Sequence, residues 1–391
     1  MRIVFVSNNY NHHECFFCNE MNKIPNVDFH FIQTQPMREE RINMGWGIDT
    51  SDIPFVLDSF RSKAAHDNAI KICNEAEVVI IGSAPYEYIA ERVRKNKLTF
   101  FYAERLFRKG IWHMLYPPTF FTVLKRFIIP GQKSNFYLLA ASGYTAWDTS
   151  RILAFNKHRF KWGHFIDVSY PKMRKYKAND KMLHLLWVGR FIRIKHPDYP
   201  IRIAKTLTEM KIPFVLDIIG SGEEKKHMQK LISDFRLNNN VIIHSSMKPT
   251  EVRIYMEKAD IYMFTSDFNE GWGAVLGESM VSGCAIVTSH GIGATPFLIQ
   301  HNKNGLIYET GNYGSFERNV LKLVNSKELR EKLSKNAIET MLNIWSPKVG
   351  ASRFYHLVSE ILKTGKPIFY DNGPISEAKI IKNNWFKDDT I

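Results

Sequence analysis

Cysteine is scarce: four residues in 391 do not make a disulfide framework, so a reducing cytoplasm is the expected setting. No apolar run approaches the roughly 20 residues that a membrane-spanning helix requires. The opening Met1-Arg2-Ile3-Val4-Phe5-Val6-Ser7 turns polar too quickly for a secretory leader. The first strand is followed by Ser7-Asn8-Asn9-Tyr10 instead of Gly-x-Gly-x-x-Gly, which argues against a dinucleotide-dependent oxidoreductase. Cys15-Phe16-Phe17-Cys18, beside His12 and His13, has dithiol or zinc spacing. A second Cys-x-x-Cys is missing, however, and two phenylalanines between the thiols fit helix packing, so no metal site is expected here. Beyond two similar halves the chain shows no internal repeat, and it has no low-complexity tract.

Acid is also in short supply. With 39 Asp and Glu against 53 Lys and Arg, the formal charge is +14, which favours anionic partners such as nucleotide diphosphates, anionic lipid or nucleic acid. The excess is uneven: between Arg92 and Lys133, ten basic residues face the single acid Glu104, interleaved with Phe107, Trp112, Tyr116, Phe120, Phe121 and Phe127. Such a stretch is either a solvated face over buried aromatics or a segment that rests on an anionic membrane. No nucleic-acid module accompanies the charge, so nucleic acid is not expected as a partner.

Short β-branched and aromatic runs at Ile3–Ser7, Val27–Ile32, Val78–Ile81, Leu98–Tyr102 and Tyr137–Ala140 alternate with helix-like segments such as Ser59–Ala76. That alternation predicts a mainly parallel sheet covered by helices. A polar stretch beginning at Tyr170-Pro171 breaks the pattern and reads as a linker. A second series follows, with strands at Leu183–Val188, Phe214–Ile219, Val241–Ile243, Ile261–Phe264 and Ala285–Val287. Helices are expected between them at Asp198–Met210, Glu223–Phe235, Thr250–Lys258 and Ala274–Val281, and a last one at Ser346–Leu362. The expected division is therefore residues 1–170, a linker 171–182, a second domain 183–362, and a tail 363–391 that can pack back on the first domain.

Glu270-Gly271-Trp272-Gly273-Ala274-Val275-Leu276-Gly277-Glu278 concentrates the chemistry. Its glycines favour a tight loop, and a helix is expected to begin just after it. Helix starts carry unpaired N–H groups and receive phosphate. Carboxylates on either side are then free to bind hydroxyls, which suits a ligand with sugar, diphosphate and ribose in a row.

This pattern resembles the Glu-x7-Glu signature of retaining glycosyltransferases of family 4, which have the GT-B fold. The resemblance extends to Leu185-Leu186-Trp187-Val188-Gly189-Arg190 with Lys195, to Ile218-Ile219-Gly220-Ser221-Gly222-Glu223, and to Ala259-Asp260 with Ser266. Together these motifs run in the family's order over about residues 183 to 310. The resemblance implies an α/β architecture with two Rossmann-like, doubly wound domains facing each other across a cleft.

The implied roles follow residue by residue. Arg190 and Lys195 match the diphosphate-binding pair, and Glu270 the contact with donor-sugar hydroxyls. Glu278 would grip the ribose. Backbone from Gly271 through Trp272, Gly273, Ala274 and Val275 would serve the phosphates, while Gly189, Gly220 and Gly222 let the chain approach the nucleotide. The chain departs from the pattern at Phe297, where the family commonly has a glutamate, and at Ala103-Glu104-Arg105, where a histidine is common. Glu104, His12 or His13 could take an acceptor-facing role instead.

The expected function is transfer of a sugar, with retention, from a nucleotide-sugar to a glycan or lipid-linked acceptor in polysaccharide or lipopolysaccharide assembly. UDP-sugar is favoured as donor and GDP-sugar comes second. The chain contains no Asp-x-Asp, the metal clamp of the other large glycosyltransferase fold, so metal independence is expected, and no cofactor. Residues 92–133 would supply a peripheral membrane contact for the cytoplasmic enzyme. The competing readings are a non-catalytic nucleotide-sugar-binding protein and a GT-B epimerase or hydrolase.

Overall fold

The computed structural model describes all residues except Met44, Trp46, Lys109, Lys157, 170–181 and 388–391. The expected linker 171–182 lies outside the described residues save for Met182. The chain divides into two units, one made of 1–166 with 344–382, the other of 167–343 with 383–391.

The first unit is built on strands β1 (Arg2–Ser7), β2 (Asp28–Gln33), β3 (Val56–Asp58), β4 (Val78–Ile81), β5 (Thr99–Ala103), β6 (Phe136–Ala140) and β7 (Arg159–Lys161). They form one sheet in the order β3-β2-β1-β4-β5-β6-β7, and every pairing is parallel. Both faces are covered, so the central strands β1, β4, β5 and β6 read as near-continuous apolar runs rather than alternating ones. On one face Val4, Val6, Val79 and Ile81 pack with Ala69 and Cys73 of the helix Lys63–Glu75. Aromatics fill the other: Phe5 meets Phe31 edge-on at 5.2 Å, and Phe17 meets Trp162 at 5.0 Å.

Helix Pro347–Thr364 contributes Phe354 to that aromatic layer, 5.0 Å from Phe100. Its ends follow capping chemistry: Ser346 Oγ accepts from Val349 N–H at 3.3 Å, Pro347 opens the first turn, and Gly365 closes it at φ 72°. A side chain at Gly350 would collide with the Phe165 ring, so glycine sets how closely helix and aromatic layer approach. This corrects the expected second domain, 183–362: its last residues, from 344, belong to the first unit because their apolar face is matched to an aromatic layer there. The following segment adds to the same unit, with Lys161 N–H donating to Ser376 O at 2.8 Å, whereas Asn383 onward belongs to the second.

The second unit carries β8 (Leu183–Val188), β9 (Phe214–Ile219), β10 (Val241–His244), β11 (Ile261–Phe264), β12 (Ala285–Ser289) and β13 (Leu306–Tyr308). Their order, β10-β9-β8-β11-β12-β13, is the doubly wound arrangement, again all parallel. Helices Asp198–Glu209, Lys225–Asp234, Pro249–Lys258 and Val275–Val281 lie close to their expected positions. Asp260 ties the start of β11 to β8 at the centre of the sheet: its carboxylate accepts from His184 N–H at 2.8 Å, a structural use of the Ala-Asp motif.

Among the described residues, no helix is long and apolar enough to cross a membrane.

Candidate functional site

In a doubly wound sheet, ligands bind beyond the carboxyl ends of the strands, where the strand order reverses. In the second unit that point lies between β8 and β11. The loop after β8 turns through the short helix Arg193–Lys195 into His196, which adopts a left-handed conformation at φ 46°. Thr265, just past β11, ties the two loops together: its hydroxyl bonds the carbonyls of Lys195 (2.5 Å) and His196 (3.2 Å) and receives Trp187 Nε1–H at 2.8 Å. Asp267 N–H donates to Ile194 O at 2.9 Å.

This stitching brings Lys195 onto Glu270 as an ion pair, with the two side chains only 13% and 15% exposed. Asp267 shapes the last approach to Glu270, its carboxylate accepting from Asn269 N–H at 2.8 Å and its carbonyl from Glu270 N–H at 3.1 Å. Glu278, half-buried, lies on the helix Val275–Val281. The buried hydroxyl of Tyr262 on β11 has its pKa raised well above the ordinary value, chiefly by burial and next by the charge of Glu278, with Cys284 and Glu270 adding less. Sequence reasoning did not single out this tyrosine, whose hydroxyl donates to Val188 O at 3.5 Å.

Arg190 sits exposed on the turn after β8 and, among the described residues, forms no ion pair. Gly273 adopts φ 81° with its open side against the Phe264 ring, and buried Trp272 packs 6.1 Å from Phe297. Gly220 and Gly222, expected to let the chain approach a nucleotide, lie on the turn after β9. Both have positive φ, and a Cβ on either would strike the backbone of Gly189 or Phe191. What comes close is the neighbouring turn, pinned by Phe191 N–H to Ser221 O at 2.7 Å.

The first unit has a cavity of about 850 Å³ at the carboxyl ends of β1, β4 and β5, again beside the reversal of strand order. His13 and Glu104 line it. Glu104 pairs with Arg108 and also bonds His164 Nε2 at 3.2 Å, and the His164 ring meets that of His13 at 4.7 Å. The His12 ring lies 3.9 Å from that of His13, tilted by 49°, but His12 is not part of the lining. Burial holds His12 down at about 4 and His13 well below the usual histidine range, with His164 adding to both. Glu14 also lines the cavity, and burial raises its carboxyl to about 7. His164 and Glu14 were not found from the sequence; His164 lies 60 residues from its partner Glu104.

Cys15 and Cys18 are buried on the helix Cys15–Asn22, and Phe17 between them packs into the aromatic layer. The basic stretch is not one face. Arg92 is in the core, donating to the carbonyls of Cys73 and Ala76 at 2.6 Å and of Leu98 at 2.7 Å. Arg105 is buried beside Asp148 at 3.4 Å. Trp112 and Leu115, by contrast, are 76% and 77% exposed, with Tyr116 and Phe121 exposed beside them in sequence.

Residues 170–340 match the family model described as Glycosyl transferases group 1. An uncharacterised glycosyltransferase of Haemophilus influenzae is 26% identical over 183 residues, covering 46% of this chain and 50% of that protein. The lipopolysaccharide core biosynthesis glycosyltransferase LpsE of Rhizobium meliloti is 25% identical over 142 residues, covering 36% and 41%. The chain thus spans about half the length, or less, of these curated relatives. Among solved structures, the lipopolysaccharide outer core galactosyltransferase WaaB aligns with a TM-score of 0.65 at 17% identity, over 91% of this chain and 100% of that one. Alr3699/HepE of Anabaena, solved in complex with UDP, aligns with a TM-score of 0.64 at 11% identity, over 92% and 100%. These likenesses show the fold: two parallel-sheet Rossmann-like domains of the GT-B type.

Proposed function

We propose that this chain is a retaining glycosyltransferase of the family 4 type, moving a sugar from a nucleotide donor to a glycan or lipid-linked acceptor. UDP-sugar is the favoured donor and GDP-sugar the alternative. The observation that carries the reading is the Lys195–Glu270 pair at the strand-order reversal, with Glu278 on the helix that follows the same loop. Relatives and neighbours named for glycosyl transfer, and a neighbour solved with UDP, support it.

In this reading Lys195 and Arg190 bind the diphosphate and stabilise the charge that grows on it as the bond to the sugar breaks. Fixed cations aimed at a developing oxyanion are worth roughly 2.7–4 kcal/mol each in comparable sites. Glu270 holds hydroxyls of the transferred sugar, and Glu278 accepts from two ribose hydroxyls. The acceptor oxygen bonds to the anomeric carbon on the face the diphosphate leaves, and its proton passes to the departing phosphate oxygen. Retention follows, and no nucleophile from the protein is needed. The reaction is read as metal-independent. The exposed aromatics around Trp112, with Lys125 and Lys133 following, would rest on the anionic cytoplasmic face of a membrane where a lipid-linked acceptor is presented.

A thermal-shift comparison of UDP- and GDP-sugars tests the donor site. A ligand at 100 times its dissociation constant stabilises by about 2.7 kcal/mol. Loss of the shift in folded Glu278→Ala and Arg190→Ala supports the roles given; an unchanged shift in both contradicts them. Hydrolysis or epimerisation of the donor without any acceptor, and no transfer with one, would replace transfer by the rival reaction.

A further inference from the structure

The first-unit cavity has a composition that the donor chemistry does not explain. Arg41, Arg105, Arg108 and Arg126 all line it, against the acids Glu14 and Glu104. Two of the cations are already matched, Arg105 by Asp148 and Arg108 by Glu104.

Arg126 is different. It rides on the π-helical turn Leu124–Ile128, closed by Ile129 N–H to Leu124 O at 2.9 Å, a backbone form found frequently at functional sites. The side chain is half-buried, and its one hydrogen bond among the described residues runs from Nη2 to Ala84 O at 2.9 Å. A guanidinium has five N–H donors in a planar fork suited to phosphate or carboxylate. Burial lowers its pKa, and no acid offsets that.

Glu14 supplies the second observation. It is 8% exposed, it lines the same cavity, and its Oε2 has no hydrogen-bond partner. A buried oxygen left without a partner costs about 1–3 kcal/mol unless something bonds it. Ser7, Asn8, Gln35 and Ser83 add neutral polar groups around the rim of strand ends. The volume falls in the range of small-ligand pockets, about 300–1,000 Å³.

We propose that this cavity binds the acceptor through a sugar that carries an anionic substituent, phosphate or carboxylate, with Arg126 holding the anion and Glu14 a hydroxyl. The assignment rests on the glycosyltransferase reading and adds the acceptor's chemical class to it. Arg126 is then a specificity-determining residue: it admits charged sugars and leaves neutral ones without a partner for its fork. Pairing with Arg108 offsets the charge of Glu104.

The experiment measures binding of glucose, glucose 6-phosphate and glucuronate to the full chain by calorimetry, with the UDP thermal shift read on the same samples. At least one charged sugar should bind tenfold or more tighter than glucose; a gain confined to glucose 6-phosphate identifies phosphate, and one confined to glucuronate identifies carboxylate. Arg126→Gln should remove that gain and Arg126→Lys restore part of it, with the UDP shift unchanged in both. Glu14→Gln should weaken all the sugars that bind. Equal binding of the three, binding of none, or a gain that survives Arg126→Gln overturns the proposal. Loss of the UDP response while charged sugars still bind would sink the donor reading instead.

Discussion

Lys195 and Glu270, 75 positions apart in the chain, meet as an ion pair between the loops that follow β8 and β11. Because both are mostly buried, each charge depends on the other, and loss of one partner strands its mate. Breaking a fully buried pair costs about 3–5 kcal/mol, so Lys195→Ala should lower stability by somewhat less, roughly 2–3 kcal/mol. It should also reduce kcat by about 10²–10³-fold if the lysine faces the leaving diphosphate. The double variant Lys195→Met with Glu270→Leu separates the two effects: chemical denaturation should show stability recovered, while turnover stays lost. Recovery of turnover along with stability would make the pair structural alone.

Glu278 should act on donor affinity. Hydrogen bonds to a charged group are worth about 1.5–3 kcal/mol, so Glu278→Ala should raise the donor KM roughly 10–150-fold with a smaller change in kcat. A 2′-deoxyribose donor should show a similar penalty with the unaltered protein and little further loss with the variant. Independent, additive losses from the two changes would place the ribose elsewhere.

How much of this was visible in the sequence depends on the range of the interaction concerned. β8, β9 and β11 were legible because each is a short apolar run closed by glycine or a polar turn, and buried parallel strands need little else. Helix Pro347–Thr364 was legible from its Ser-Pro start, but its allegiance to the first unit was not: that depends on Phe354 meeting Phe100, 254 positions earlier by subtraction of their numbers. β3, β7 and β13 have three residues each, too few to display a period. The loop and helix of the Glu270–Glu278 motif are local and could be read. The cavity cluster could not, since Glu14, Glu104 and His164 are gathered only by the sheet, and Arg92 counted as surface charge until its carbonyl partners were seen.

The pH dependence of stability should carry the mark of Glu14. Its carboxyl, ordinarily near 4.5, is raised to about 7 by burial, with His164 and Arg41 partly opposing and Glu104 reinforcing. A raised carboxyl favours the protonated form in the folded state. Its contribution is therefore fully present below about pH 4.5 and is lost as pH climbs toward 7. Glu14→Gln, neutral at every pH, escapes that loss. Thermal melts at pH 5 and pH 8 should show the variant gaining on the natural protein by roughly 2–3 kcal/mol across the interval. Parallel melting curves would mean that the carboxyl is ionised in the fold throughout.

Membrane contact, if the exposed segment makes it, should be interfacial and salt-sensitive. Trp112 and Leu115 lie on the short helix Ile111–Leu115 and Phe121 on Pro117–Val123, with their side chains turned to solvent. Lys125 follows on the π-helical turn, and each such cation near an anionic surface adds about 1 kcal/mol. Apolar rings entering the headgroup region add to this in proportion to the area they bury. Co-sedimentation with phosphatidylglycerol-containing vesicles should exceed that with phosphatidylcholine alone and fall as salt is raised. Trp112→Ser with Phe121→Ser should weaken binding to the anionic vesicles about tenfold, a loss of about 1.4 kcal/mol, while leaving the UDP thermal shift intact. Equal pelleting with both lipids, or no effect of the paired serines, would return these aromatics to an ordinary exposed surface.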